Sequence, residues 1–153
     1  MNVLIVLKSL GMLLLCEAVA LLPPVLLAVY YQENTVPAFL YTIIIAVIIG
    51  FLFYSLKVKD NVIRYKEGFA IVTFGWLAVS VIGALPFIFS GVLSSFADAF
   101  FETVSGFSTT GATVIANVEI VPFSLLFWRS FTHWLGGMGI LVLAPASSPA
   151  LGV

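Results

Sequence analysis

Residues 108–113 read Ser108-Thr109-Thr110-Gly111-Ala112-Thr113, small or hydroxylated side chains around a central glycine. Glycine permits backbone angles forbidden to other residues, so a run built this way can aim successive carbonyl oxygens at one axis. Rings of such carbonyls replace the hydration shell of a K⁺ ion. The segment before the run reads as a short helix. Ser95 is a good N-cap, and Asp98 three residues on completes a Ser-x-x-Asp capping pattern. Phe96, Phe100, Val104 and Phe107 recur at spacings of three and four, one helical face, and Gly106 is a natural stop. Roughly eleven residues is too short to span a bilayer and long enough to dip halfway in and return. The C-terminus of such a helix turns partial negative charge toward the run that follows, which favours a cation. From the residues alone, an ion-coordinating run and an ordinary external loop are equally good readings.

The elements that must position this segment follow from composition. The 153 residues are 62% hydrophobic and 8% charged, against roughly 25% charged in a soluble domain, and the mean hydropathy is +1.22. A water-soluble fold of this size cannot hide so much apolar surface. A soluble enzyme, a nucleic-acid binder and a disordered segment are excluded together. Six basic against seven acidic residues give a net charge of -1, with no basic cluster to hold a phosphate backbone. The single Cys16 allows no internal disulfide and no Cys-rich metal site.

A bilayer core needs roughly 20 apolar residues of helix. Pro37 to Leu56 carries no charge and predicts one span. Gly68 to Ala97 is also uncharged and exceeds one crossing, which predicts a helix near 69–90 and an external loop at Gly91 and Ser94-Ser95. Val3 to Tyr31, with Lys8, Glu17 and Pro23-Pro24, predicts a spanning helix bent near the prolines. It lacks a small-x-small cleavage site at a plausible distance and its apolar stretch is too long for a signal-peptide h-region, so it reads as a retained helix. Pro122 to Ala144, apolar and aromatic apart from Arg129 and His133, predicts the last helix. Lys57 to Glu67 holds four of the six basic residues, which places that loop and the N-terminus in the cytoplasm. Residues 91–121 then start outside, and the last helix returns inward.

At this point a resemblance enters. Asp98-Ala99-Phe100-Phe101-Glu102-Thr103-Val104-Ser105-Gly106-Phe107-Ser108-Thr109-Thr110-Gly111-Ala112-Thr113 resembles the first pore loop of the Trk/Ktr/HKT superfamily of potassium transporters. Trp128-Arg129-Ser130-Phe131-Thr132-His133-Trp134-Leu135-Gly136-Gly137-Met138-Gly139 resembles the start of the helix after that loop in Trk-type subunits. The two helices before residue 60 are similar to the extra N-terminal pair of such subunits. The resemblance implies an all-α polytopic membrane protein with two N-terminal transmembrane helices followed by one helix–pore loop–helix repeat. Its divisions would be a helix pair at 1–58, a cytoplasmic basic loop at 59–68, the first repeat at 69–144 and an atypical tail at 145–153. It implies a subunit of four repeats, each giving one quarter of a K⁺ filter. Thr109, Thr110, Gly111 and Ala112 fall on the filter segment, Gly111 on the filter glycine.

The same resemblance implies no cofactor beyond the transported K⁺. The implied partners are membrane lipid, the rest of a four-repeat pore, a second copy in a homodimer and a cytosolic nucleotide-binding regulatory subunit, with no nucleic acid. The implied location is a bacterial inner membrane, multi-pass, N-terminus in the cytoplasm. The sequence shows only one repeat, and Pro145, Ser147, Ser148 and Pro149 stand where an apolar helix would continue. The alternative expectation is therefore a non-conducting truncated fragment or a membrane assembly protein.

Other residues admit narrower readings. Glu102 and Arg129 either pair, bracing the short helix against the last span, or stand apart, with Arg129 snorkelling outward and Glu102 facing water. His133 has no second His or Cys within helical reach, so a packed or hydrogen-bonded ring is expected over a metal ligand. Glu17 faces a neighbouring subunit or a wet crevice, or is a tolerated polar position; the sequence leaves these open. Gly136, Gly137 and Gly139 let another helix approach closely. The Gly106 to Gly111 spacing lacks the lysine of a phosphate loop. Ser105, Ser108 and His133 show no nucleophile–base signature, so no enzyme is expected.

Overall fold

A computed structural model describes residues 2–58 and 64–146 of the chain. Residues 59–63 of the expected basic loop and residues 147–153 of the expected tail lie outside the described residues. The described residues form six α-helices and one 3-10 turn, with no strand among them. In chain order the helices are α1 (Val3–Ala20), α2 (Leu22–Tyr30), α3 (Val36–Tyr54), α4 (Tyr65–Phe89), α5 (Phe96–Phe107) and α6 (Phe123–Ala146). The α1–α2 run, α3 and α4 are each long and apolar enough to cross a membrane.

Local chemistry explains most boundaries. The bend expected near the prolines is a helix break: α1 ends at Ala20, and α2 restarts at Leu22 with proline in its first turn. Proline is tolerated there because the first-turn N–H has no intrahelical partner. Pro37 opens α3 in the same way. Helix α4 begins at Tyr65, four positions before the expected start, because Lys66 and Glu67 are helix formers and the charge boundary is not a helix boundary. The Asn2 amide donates to Glu67 Oε1 at 2.8 Å, joining the starts of α1 and α4. Helix α5 begins as the Ser-x-x-Asp pattern predicts, with Ser95 Oγ accepting from the Asp98 amide at 3.5 Å. It ends at Phe107, one residue past Gly106.

The interior is unlike that of a soluble protein. Large apolar side chains such as Leu26, Ile48, Phe51 and Phe69 are exposed, while Thr42, Ser80, Thr103 and Thr132 are buried. Lipid is as apolar as a leucine core, so what favours the inside is close packing and satisfied polar groups. Thr42 Oγ1 donates to the Ala38 carbonyl and Thr103 Oγ1 to the Ala99 carbonyl, each at 2.8 Å. One buried cluster joins α1, α3 and α4 through Leu14, Ala18, Ala46 and Ile82. A second joins the α1–α2 junction at Leu21 to α3, α4, α5 and α6 through Phe39, Phe87, Ala99, Leu125 and Trp128.

Helices α1 and α3 touch through backbone. A Cβ on Gly11 would lie 2.6 Å from both the Gly50 carbonyl oxygen and the Tyr54 nitrogen. Gly11→Ala is expected to destabilise the fold by about 1–3 kcal/mol through overpacking. Gly68 in α4 has nothing within 4 Å of its Cβ position, so Gly68→Ala is expected to stabilise by about 1 kcal/mol through helix propensity. Thermal unfolding of both variants in one detergent checks the opposite signs.

Candidate functional site

Helix α5 is seated between α4 and α6 by glycines that admit it. On α4, a Cβ at Gly83 would meet Thr103 Cγ2 at 2.8 Å and Phe107 Cε2 at 3.3 Å. On α5 itself, Gly106 lies against the Thr132 side chain of α6, leaving no room for a Cβ. On α6, Gly136 lies against the Phe107 carbonyl. Trp128 is fully buried and donates from Nε1 to the Gly83 carbonyl at 2.9 Å, which closes the α4–α6 side. The C-terminal end of α5 is thus held by backbone-to-backbone proximity, which small residues alone allow.

The loop after α5 folds back on that end. The Thr109 amide donates to the Gly106 carbonyl at 2.9 Å. The Thr110 and Gly111 amides donate to the Ser105 carbonyl at 3.0 and 3.4 Å. In a trans peptide the carbonyl of one residue points opposite to the N–H of the next. The carbonyls of Ser108, Thr109 and Thr110 therefore point away from α5. No described group donates to the Thr109 or Thr110 carbonyl. Left-handed backbone at Thr109 (φ 58°) and Gly111 (φ 80°) makes this reversal. At Thr109 it costs a non-glycine residue on the order of 1–2 kcal/mol. Gly111 and Ala112 differ from their two neighbours. The Gly111 carbonyl accepts from Arg129 Nη2 at 3.3 Å, and the Ala112 carbonyl accepts from Ser105 Oγ at 2.6 Å. Each keeps a second lone pair.

Glu102 anchors the returning half of the loop. Its side chain is fully buried, and its carboxylate is ion-paired with Arg129 Nε, whose side chain is 20% exposed. The other oxygen accepts from Thr113 Oγ1 and from the Val114 amide, each at 3.0 Å. Of the two readings open for this pair, the structure has the brace from α5 to α6. Of the residues that the sequence marks, Thr110, Gly111, Ala112, Glu102 and Arg129 are joined through shared hydrogen bonds into one group, while Thr109 bonds to the Gly106 carbonyl beside them. Ser105 and Thr113 belong to it too; their partners lie seven and eleven positions away, and spacing alone gives no signal for either.

His133 points its Nδ1 at the Arg129 carbonyl, 2.8 Å away, and donates to it. Its Nε2 lies 3.9 Å from the Cβ position of Gly111. Glu17 is 5% exposed and faces inward, its Oε1 3.1 Å from the Cβ position of Gly83. Both its carboxyl oxygens lack a hydrogen-bond partner among the described residues. Glu33 accepts at the other end of α6: Oε1 takes the Phe123 amide at 2.7 Å, and Oε2 takes the Ser124 amide at 3.1 Å and the Ser124 hydroxyl.

Three apolar runs of membrane-crossing length, followed by a short helix and a backfolded loop packed between α4 and α6, define a polytopic all-helical membrane protein. Comparison with known proteins gives its family. Residues 34–153 match the family described as "TrkH: Cation transport protein", and the chain belongs to that family. It is 38% identical over 148 residues to the Trk system potassium uptake protein TrkH of Escherichia coli (strain K12), covering 95% of this chain and 31% of that protein. It is 39% identical over 145 residues to TrkG of the same strain, covering 94% and 30%. The crystal structure of the potassium transporter TrkH from Vibrio parahaemolyticus matches with a TM-score of 0.91 at 35% identity, over 100% of this chain and 33% of that one. The chain spans about a third of the length of these relatives.

The buried pair gives a direct test. Removing one partner leaves the other charge uncompensated, so Glu102→Gln and Arg129→Gln are each expected to destabilise by about 3 kcal/mol. The double variant is expected to cost less than the sum, with a coupling of about 1–3 kcal/mol. Chemical unfolding of the four proteins in one detergent measures it, and additive losses would remove the brace from the account.

Proposed function

We propose that this chain supplies one quarter of a K⁺-selective filter to a longer membrane transporter, through main-chain oxygens of the loop at 109–112. The observation that carries the reading is the turning of successive carbonyls away from α5, with those of Thr109 and Thr110 left without an internal donor. Such oxygens cost free energy in a membrane unless something coordinates them, and a dehydrated monovalent cation is a fitting occupant. Gly111 and Ala112 contribute through their second lone pairs, and their first hydrogen bonds fix the angle. The potassium named in the E. coli and V. parahaemolyticus relatives agrees with this choice of ion.

The remaining organisation follows the same reading. The helices before residue 58 form a pair outside the repeat, and α4, α5, the loop after it and α6 form the first helix–pore loop–helix repeat, which starts at Tyr65 rather than at the expected 69 and keeps 145–146 in α6 rather than in a tail. The four basic residues between Lys57 and Lys66 favour a cytoplasmic N-terminus in a bacterial inner membrane. Further repeats complete the ring, a second copy gives a dimer, and a cytosolic nucleotide-binding subunit regulates it.

The test replaces the matching third of E. coli TrkH with this chain, in cells lacking other K⁺ uptake. Restored growth at low potassium is expected. Gly111→Ala in that hybrid should lower K⁺ over Na⁺ selectivity about tenfold, since left-handed strain of about 1–2 kcal/mol falls on the carbonyls themselves. Gly68→Ala should leave selectivity unchanged. A hybrid that inserts fully yet passes no K⁺ supports the non-conducting assembly role instead.

A further inference from the structure

Helix α6 carries Arg129, and its first turn is held by a segment outside the repeat. The turn between α2 and α3 closes with the Gln32 amide donating to the Val29 carbonyl at 3.2 Å and the Glu33 amide to the Ala28 carbonyl at 2.8 Å. This pairing needs a left-handed residue, where glycine is the usual choice. Here it is Gln32, at φ 55°. A non-glycine residue in that conformation marks a place where the surroundings enforce the geometry. What the geometry achieves is the aim of the next side chain. The Glu33 carboxylate meets the Phe123 amide, the Ser124 amide and the Ser124 hydroxyl. The first two are N–H groups of the first turn of α6, which have no intrahelical acceptor. The negative charge also opposes the positive end of the helix dipole. Two further contacts repeat the link: Thr35 Oγ1 lies 2.8 Å from Ser124 Oγ, and the Tyr31 ring stacks on Phe123 with centroids 5.1 Å apart.

We infer that Glu33 is a positioning residue for the filter loop: it fixes the axial register of α6 and so the placement of the Arg129 guanidinium on the Gly111 carbonyl. From Ser124 to Arg129 is five residues of continuous helix, about 7.5 Å along the axis. A helix transmits an axial shift over that length without loss. The Arg129 Nη2 bond to the Gly111 carbonyl is 3.3 Å long, near the limit for a hydrogen bond. A slip of a few tenths of an ångström at Phe123 breaks it. The N-terminal helix pair thereby acts on the loop although it contributes no residue to it. The effect on ions rests on the filter reading above; the effect on the loop does not.

Amide hydrogen exchange on this chain in lipid vesicles tests the loop directly. Glu33→Ala is expected to speed exchange at residues 109–114 about fivefold, the scale of a lost helix cap. Glu33→Gln, which keeps one acceptor oxygen, should fall between. The amides inside α4 and α5 should stay as they were. Unchanged exchange at 109–114, or an equal rise throughout the chain, overturns the inference. In the E. coli TrkH hybrid, Glu33→Ala should lower K⁺ over Na⁺ selectivity several-fold, with the amount of inserted protein within about twofold of the parent. Faster exchange with unaltered selectivity upholds the positioning role and sinks the filter reading instead.

Discussion

One buried carboxylate organises the site. Glu102 takes an ion pair from α6, a hydroxyl from Thr113 and an amide from Val114, so three donors from two chain segments converge on two oxygen atoms. The Glu102 side chain is fully buried, away from bulk solvent. In such a place an unpaired charge is costly, and a fully engaged one is rigid. The loop between α5 and α6 has no regular structure beyond a 3-10 turn at Val118–Ile120. Its conformation near the site is therefore set by side-chain anchors, of which Glu102 is the most connected. Arg129 extends the anchor, since the same guanidinium also reaches the Gly111 carbonyl.

The loop has two sides with different work. Its amides at Thr109, Thr110 and Gly111 are used up on the Gly106 and Ser105 carbonyls of α5, which binds it to the rest of the chain. Its carbonyls at Thr109 and Thr110 are thereby released to the other side. This division rests on the planar trans peptide, which forces the two groups of each unit apart. It also needs α5 to end close to α6, and that depends on Gly106 and Gly136 lacking side chains. Close helix contact and an irregular, polar loop are thus one arrangement seen from two directions.

Much of this was legible before any coordinates. Apolar runs locate the spans, two of them wholly uncharged, because a bilayer demands length and apolarity and little else. The resemblance of Asp98 to Thr113 to a known pore loop identified the family that the comparisons then showed. Ser95 and Asp98 placed the start of α5 correctly. The start of α4 was missed by four residues, since Lys66 and Glu67 belong to the helix although they lie outside the apolar run. Pairing was the harder question. Glu102 and Arg129 are 27 positions apart, and two outcomes fitted equally well until the packing was known. Glu33 gave no signal at all: an acidic residue in a short polar turn looks like any solvated loop, and its partners lie some 90 positions downstream. For Glu17 the sequence leaves several readings open, and the structure turns it inward onto Gly83.

The glycine contact between α1 and α3 bears on how the chain is made. With Gly11 lying against Gly50, these two helices form an antiparallel hairpin whose seam uses only residues up to Tyr54. During synthesis such a hairpin can settle into the bilayer as a finished piece before α4 has left the ribosome. In that order the Glu33 carboxylate gains its partners on α6, the Phe123 and Ser124 amides, only once the last helix has been made.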